Sequence, residues 1–247
     1  MTLSMIVAEV LKLARRRGLM WTALAFMLGS VLLILAVRAV KYTPTGGEDG
    51  YTGCMYAIIS FGGLVATAIG ATSGSQDHSS GVFRDLVATG ISRLKLFAVR
   101  IPGALIVMVG LVAPAYLIAV AAGLTLAGDH TKLSGSMIQD DLGYLALLFG
   151  TLTVLGCAFS TLAGSRGWVI GGLIVLEWVV QPLLTHVDQL GRSRDWLLGP
   201  AVDHFAREQI GRYNDLELSS SQAWITIAVW MAAAFAIGAW RAVTRDA

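Results

Sequence analysis

Serine and histidine are the residues whose chemistry would point most directly to an enzyme. The stretch from Ala71 to Gly74 shares the Ser and the final Gly of the nucleophile motif Gly-x-Ser-Gly, and Ala71 replaces its first Gly. A serine nucleophile such as Ser73 needs a histidine within hydrogen-bond reach to accept its proton. The four histidines lie outside the centres of the apolar stretches, at positions 78, 130, 186 and 204. The sequence therefore disfavours a buried Ser–His enzyme.

Metal and nucleotide chemistry find little support. Cys54 and Cys157 have no ligand-like neighbours at metal-binding spacing, and two cysteines are too few for a disulfide framework. No GxxxxGK[ST] phosphate loop occurs in the chain. We therefore expect no metal site and no cofactor on this chain, and we expect it not to hydrolyse ATP by itself.

A polar stripe interrupts the fifth apolar stretch of the chain. Glu177 falls near its middle, where a charged side chain costs at least about 2.5 kcal/mol. Gln181 follows one helical turn later, and Pro182 frees a backbone carbonyl one turn back. Two interpretations stay open: a substrate path or gate formed by Glu177, Gln181 and Pro182, or a buried hydrogen bond that fixes helix packing.

The composition is that of a membrane protein, since 55% of the residues are hydrophobic, 14% are charged and the mean hydropathy is +0.69. Six stretches are long enough to cross about 30 Å of hydrocarbon as helices. We place them at 19–37, 53–73, 101–127, 142–164, 168–187 and 223–240. The absence of period-two alternation excludes barrel strands. The predicted fold is an all-α membrane protein with a single transmembrane domain over residues 1–247.

Glycines in the spans are expected to permit close helix approach rather than to mark a site. They are Gly62, Gly63, Gly70, Gly171 and Gly172.

The distribution of Lys and Arg predicts the orientation. Positively charged flanks stay in the cytoplasm, and with the N-terminus inside, the inner segments hold 11 of the 18 Lys and Arg residues. Four of the seven outer ones lie in residues 188–221, where acidic residues offset them. Both termini are therefore predicted in the cytoplasm and residues 188–221 outside the cell.

Residues 1–17 predict an amphipathic helix in the inner headgroup layer. Apolar residues recur on one face, while Glu9, Lys12 and Arg16 fall on the other. Arg15, Arg16 and Arg17 follow, where cations meet anionic lipid. The alternative is an extension of the first span, but the break from Arg15 to Gly18 favours a separate helix.

The polar segment of residues 74–100, between the second and third spans, predicts a docking surface in water. Residues 82–89 predict a short helix that follows Gly81, and Gly90 ends it before a second piece leads into the third span. The alternative is a solvated connection whose charges only enforce topology. The residues expected to carry the docking surface are Asp77, Gly81, Phe83, Arg84, Asp85, Gly90, Ser92 and Arg93.

The order of these residues resembles the membrane subunit of type-2 ABC exporters. That family shows an acidic residue, then a Gly followed by an Arg, then a turn ending in Ser-Arg, here matched by Asp77, Gly81 with Arg84, and Ser92 with Arg93. The N-terminal helix, the six spans and the long outer connection extend the resemblance loosely over the whole chain.

The resemblance implies a permease subunit of the cell membrane that exports a small amphipathic or hydrophobic substrate. It further implies a second copy of the permease, and separate ATPase subunits that carry ATP and Mg²⁺. Residues 74–100 would couple those subunits to the spans. No nucleic-acid partner is indicated.

The outer connection predicts a short amphipathic helix near Pro200, with Val202, Phe205, Ala206 and Gln209 at helical spacing. In the resembled exporters, small helices in this region dip toward the membrane and shape the outer gate. The alternative is an interfacial anchor formed by Trp196 and Phe205. Ser219 and Gln222 predict a capping box at the start of the sixth span.

Two other functions stay open: a six-span intramembrane enzyme of the serine-protease type, and a membrane sensor or assembly factor that transports nothing. Neither requires an ATPase-docking segment. Loss of ATPase binding after replacement of Arg84 and Asp85 would favour the exporter.

Overall fold

The computed structural model describes residues 2–40, 47–79, 90–127, 132–212 and 218–244. The helices, in chain order, are α1 (Thr2–Ala14), α2 (Arg17–Val40), α3 (Gly47–Ser79), α4 (Arg93–Thr125), α5 (Gly135–Ala163), α6 (Arg166–Thr185), a 3₁₀ helix (Asp188–Trp196), α7 (Leu198–Asp203) and α8 (Ser220–Thr244). Within these ranges there is no strand, and six helices are long and apolar enough to span a membrane: α2 to α6 and α8. The predicted all-α fold of a multi-pass membrane protein is confirmed.

Several helices extend beyond their predicted apolar stretches. The helix α4 begins at Arg93 rather than near residue 101, and α5 begins at Gly135 rather than near residue 142. Serine side chains cap both starts: Ser92 accepts a hydrogen bond from the Lys95 amide at 3.4 Å, and Ser134 accepts one from the Met137 amide at 3.2 Å. Hydropathy locates only the apolar part of a helix, whereas the caps set its ends.

The centre of the bundle is the contact between α3 and α5, the two most buried spans. A side chain at Gly62 would overlap the Phe149 ring, and one at Gly70 would overlap the Thr153 carbonyl. Close approach is confirmed for these two glycines. Gly63 has only an ordinary 3.5 Å neighbour. Gly171 and Gly172 have nothing within 4 Å, so no described residue of this chain approaches them closely.

The bundle has two ends, which we call the termini end and the opposite end. At the termini end, α3 finishes, α4 starts and α8 finishes, and the Arg93 Nη1 donates to the Val243 carbonyl at 3.2 Å. At the opposite end lie the starts of α3, α5 and α8, together with the 3₁₀ helix and α7.

The helix α1 is separate from α2, with the break at Arg15 and Arg16, and it packs chiefly against α4. The prediction that Glu9 faces away from the bundle is wrong. Glu9 is 8% exposed, because its stem fills the space left by Gly103 and its carboxylate pairs with Lys12. Leu3, Val7 and Leu11 are exposed instead, which lipid tolerates because acyl chains are themselves apolar.

Candidate functional site

The docking residues predicted at the termini end are only partly described. Gly81, Phe83, Arg84 and Asp85, and the short helix predicted over 82–89, lie outside the described residues. Asp77 lies near the end of α3.

The remaining three docking residues lead into α4. Gly90 has a φ of 83°, a left-handed conformation that suits glycine and turns the chain before the helix. Ser92 then caps α4 and Arg93 reaches the end of α8.

A buried arginine ties together the helices that the docking segment joins. Arg100, on α4, is 1% exposed, and its Nη1 donates to the Gly74 carbonyl on α3 at 3.1 Å. In return, the Ser73 hydroxyl donates to the Arg100 carbonyl at 3.3 Å. The Thr161 hydroxyl on α5 also reaches the Gly74 carbonyl at 3.3 Å. Three helices therefore share one polar contact close to their ends.

Ser73 does not form a nucleophile site with His186 or His204. Its side chain is buried and bonds to the α4 backbone, while His186 and His204 lie at the opposite end. The geometry assigns Ser73 a packing contact.

The opposite end holds a buried ion pair. Both oxygens of the Asp141 carboxylate accept from Arg207, from Nε at 2.8 Å and from Nη2 at 2.7 Å. Burial alone would lower the pKa of Arg207, but the hydrogen bonds and charge of Asp141 outweigh it, so the pKa of the guanidinium lies above its ordinary value. Arg207 stays charged at any physiological pH.

A shell of polar groups surrounds this pair. Gln209 accepts from the Arg207 Nη1 at 3.0 Å and donates to Glu48 at 3.2 Å. The guanidinium also lies 5.8 Å from the centre of the Tyr51 ring. The start of α3 is thereby connected to the segment that follows α7.

The predicted polar stripe joins α6 to α7 and to Arg212, which lies in the segment that follows α7. The Gln181 side chain donates to Glu177 at 2.8 Å and accepts from the Gly199 amide of α7. The Arg212 Nη1 lies 3.6 Å from the Glu177 carboxylate and its guanidinium lies over the Trp178 ring. The structure brings Glu177 and Gln181 together, and both face protein.

Pro182 follows a π-helical turn, Leu176–Val180, that carries Glu177. Proline lacks the amide hydrogen that a regular helix requires, and π turns often occur where helices carry functional residues. The Pro182 carbonyl accepts from Thr185 at 2.7 Å, and the helix ends at that residue.

The short helix α7 is buried on all sides rather than amphipathic at the surface. It ends at Asp203, so the predicted continuation through Phe205 and Gln209 is wrong. Asp203 accepts one hydrogen bond from the Tyr144 hydroxyl at 2.6 Å and another from the Arg212 amide at 2.6 Å. These bonds fix the position of the segment that follows α7.

Two further predictions concern the edges of this segment. The Ser219 hydroxyl accepts from the Gln222 amide at 3.2 Å, which confirms the cap at the start of α8. Trp196 is half exposed, and its carbonyl accepts from the Trp230 indole at 3.0 Å.

Sequence reasoning missed most of the charged residues at the opposite end, and one tyrosine that bonds to them. The missed residues are Asp141, Tyr144, Asp203, Arg207 and Arg212. The acidic pair beside the fourth apolar stretch was the available signal, but the pairing partner lies 66 positions away and only the fold reveals it.

His204 and Ser220 form a Ser–His contact at the opposite end. The His204 Nε2 lies 3.0 Å from the Ser220 hydroxyl, and Ser220 is exposed at the first position of α8. Within the described ranges, no carboxylate bonds to the other ring nitrogen of His204. The contact has the distance of a nucleophile and base but lacks the third group that orients the base.

The outward face of α6 is open. Gly167, Gly171 and Gly172 have nothing within 4 Å, and Trp168 between them is 83% exposed. Gly167 and Gly171 have the four-residue spacing at which two membrane helices approach closely.

No protein-family model matches the chain, and no curated protein matches it.

Proposed function

We propose that this chain is the permease subunit of an ATP-driven exporter and that separate ATPase subunits dock on its termini end. The observation that carries the proposal is the Arg100 contact. It ties α3, α4 and α5 together within residues 74–100 and at Thr161, and the residue order of 74–100 resembles that of a coupling element.

A coupling element needs a rigid mount, because a flexible one would absorb the displacement that nucleotide binding produces. The mount here is polar, buried and shared by three helices, and α3 and α5 also have the closest packing in the bundle. A push on residues 80–92 would therefore move α3 and α4 as one body and shift the bundle between two arrangements.

The exporter works as a pair of permease copies in the cell membrane, with both termini in the cytoplasm. The excess of Lys and Arg at the termini end supports this orientation. The open glycine face of α6 supports a second copy, since membrane helices approach each other closely at glycines four residues apart. ATP and Mg²⁺ bind the ATPase subunits.

In this proposal the polar stripe keeps the substrate exit, at the opposite end of the bundle, closed. Glu177, within the π turn, and Gln181, just after it, fasten Arg212 and α7 to α6. Release of a small amphipathic or hydrophobic substrate requires these contacts to open, and Pro182 leaves α6 weaker at that position.

The test replaces Arg84 and Asp85 together with Ala in tagged protein from the native host. We expect loss of the co-purified ATPase subunit, while the spans stay folded. Arg166→Ala is the matched control, because Arg166 is an exposed charge at the same end in a different connection. Retention of the ATPase by the double variant would contradict the docking assignment.

A serine hydrolase is the second candidate, favoured by the His204–Ser220 distance alone. A fluorophosphonate probe tests it, since it labels only an activated serine. Labelling that Ser220→Ala abolishes and Ser221→Ala leaves intact would support the hydrolase. No labelling of the wild-type chain would exclude it.

A further inference from the structure

A groove at the opposite end lies between α5, α8 and the segment after α7. Its volume is about 660 Å³, which is the size of a small-molecule site. Its walls are Leu147 and Ala146 on α5, Phe205 after α7, and Trp224 on α8. Its rim carries Gln139, Asp140 and Arg207.

The rim is acidic. Arg207 contributes a positive charge that the two-bond pair with Asp141 neutralises. Asp140 is exposed, and its carboxylate has no hydrogen bond or ion pair with any described residue. Among the described residues that line it, the groove therefore presents one negative charge that no paired cation neutralises.

An aromatic pair lines the same groove as this charge. The Phe205 and Trp224 rings are 4.6 Å apart with their planes 43° from parallel, and Trp224 is 53% exposed. Aromatic faces attract organic cations, and tryptophan does so most strongly. An aromatic wall and a carboxylate in one groove are the chemistry that recognises an ammonium group.

A second groove shares one lining residue, Ala146, with the first. This second groove has a volume of about 480 Å³ and lies between α4 and α5, and its walls include Val109, Leu142 and Phe149. None of the described residues that line it is charged. A molecule longer than the first groove extends past Ala146 into a purely apolar one.

We propose that these two grooves form one binding site for an amphiphilic organic ammonium ion. The cationic head lies between Asp140 and the Phe205–Trp224 pair, and the apolar tail passes Ala146 and lies between α4 and α5. The site does not rest on the permease assignment, because it uses neither the docking segment nor a second copy.

The test uses the full chain in nanodiscs of phosphatidylglycerol, which has no ammonium headgroup, and radiolabelled decyltrimethylammonium as the probe. We expect saturable binding that weakens about fivefold or more in Asp140→Asn and in Trp224→Ala. The matched controls are Asp49→Asn, an exposed acid at the same end, and Trp168→Ala, the exposed tryptophan of α6. Both controls keep wild-type binding.

A second variant tests the tail. Ala146→Trp blocks the junction of the two grooves, so affinity for the decyl probe falls about tenfold or more, because the buried methylene groups are lost. Affinity for tetramethylammonium, which has no tail, stays unchanged. Equal loss for both probes would contradict the assignment of the tail.

The ammonium headgroup could belong to a lipid or to a free molecule, and phosphatidylcholine separates the two sources. If phosphatidylcholine added to the nanodiscs displaces the probe, the occupant is a lipid. If it does not, the occupant is a free amphiphile. Wild-type binding in both Asp140→Asn and Trp224→Ala, or no saturable binding at all, would overturn the proposal, whatever the ATPase experiment gives.

Discussion

Asp141 and Arg207 are 66 positions apart in the chain, yet they meet through two parallel hydrogen bonds of 2.8 and 2.7 Å. Asp141 is fully buried at the start of α5, and Arg207 belongs to the segment between α7 and α8. A two-bond Arg–carboxylate pair fixes geometry as well as distance. This pair fastens the long polar connection across the opposite end of the bundle.

Asp141→Asn should destabilise the fold. The change leaves a largely buried guanidinium without its counter-charge, and breaking one side of a buried pair costs about 3 kcal/mol or more. The measurement is the free energy of unfolding in SDS titration. Asp140→Asn is the neighbouring control, since Asp140 is exposed, and it should change that free energy by less than about 0.5 kcal/mol. Similar losses in both variants would show that the pair does not fasten the segment.

Gly70→Ala should disrupt the α3–α5 contact. The new methyl group would overlap the Thr153 backbone, which cannot move as a side chain can, so we expect a loss of about 2 kcal/mol or more. Gly63→Ala lies on the same helix with only a side-chain neighbour and should leave stability unchanged or raise it by up to about 1 kcal/mol, since alanine favours helix by that amount. Thermal unfolding in detergent compares the two. A stable Gly70→Ala protein would contradict the close approach.

Gln181→Leu should separate the two interpretations of the polar stripe. The change removes the acceptor of the Gly199 amide and a donor to Glu177, and a buried unsatisfied group costs about 1–3 kcal/mol. We expect lower stability and faster proteolysis of the segment after residue 185. Loss of transport with unchanged stability would instead make Gln181 a gating residue alone.

Gly171→Leu should weaken self-association. Leucine on the open face of α6 would hold a second copy away, and we expect a shift from dimer to monomer in detergent, measured by light scattering. Gly110→Leu, on the exposed face of α4, also has nothing within 4 Å and should leave the dimer intact. A monomeric wild-type protein would remove the basis for this prediction.

Cysteine labelling should settle the orientation. Both native cysteines are buried, so single exposed cysteines report without interference. An impermeant maleimide should label Ser221→Cys in intact cells and Ser4→Cys only after permeabilisation. The reverse pattern would place the termini outside.

The sequence predicted the six spans because hydropathy depends only on local composition. It placed the start of α4 about two turns late, because the helix begins after the Ser92 cap and not at the first apolar residue. It predicted that Glu9 faces outward, because a helical wheel cannot show that Gly103 leaves room for it.

The polar network at the opposite end depends on pairs distant in sequence. Glu177 and Gln181 were recognisable because a charge in an apolar stretch needs a partner. That the partner is Arg212, or that Asp203 bonds to Tyr144, follows only from how α7 inserts between the helices.

The most direct test of the permease assignment is purification of the tagged chain from its native host in mild detergent, with mass spectrometry of the co-eluting proteins. We expect a stoichiometric subunit that carries a phosphate-loop motif and whose ATP hydrolysis depends on this chain. A folded six-span protein that reproducibly elutes without such a subunit would contradict the assignment.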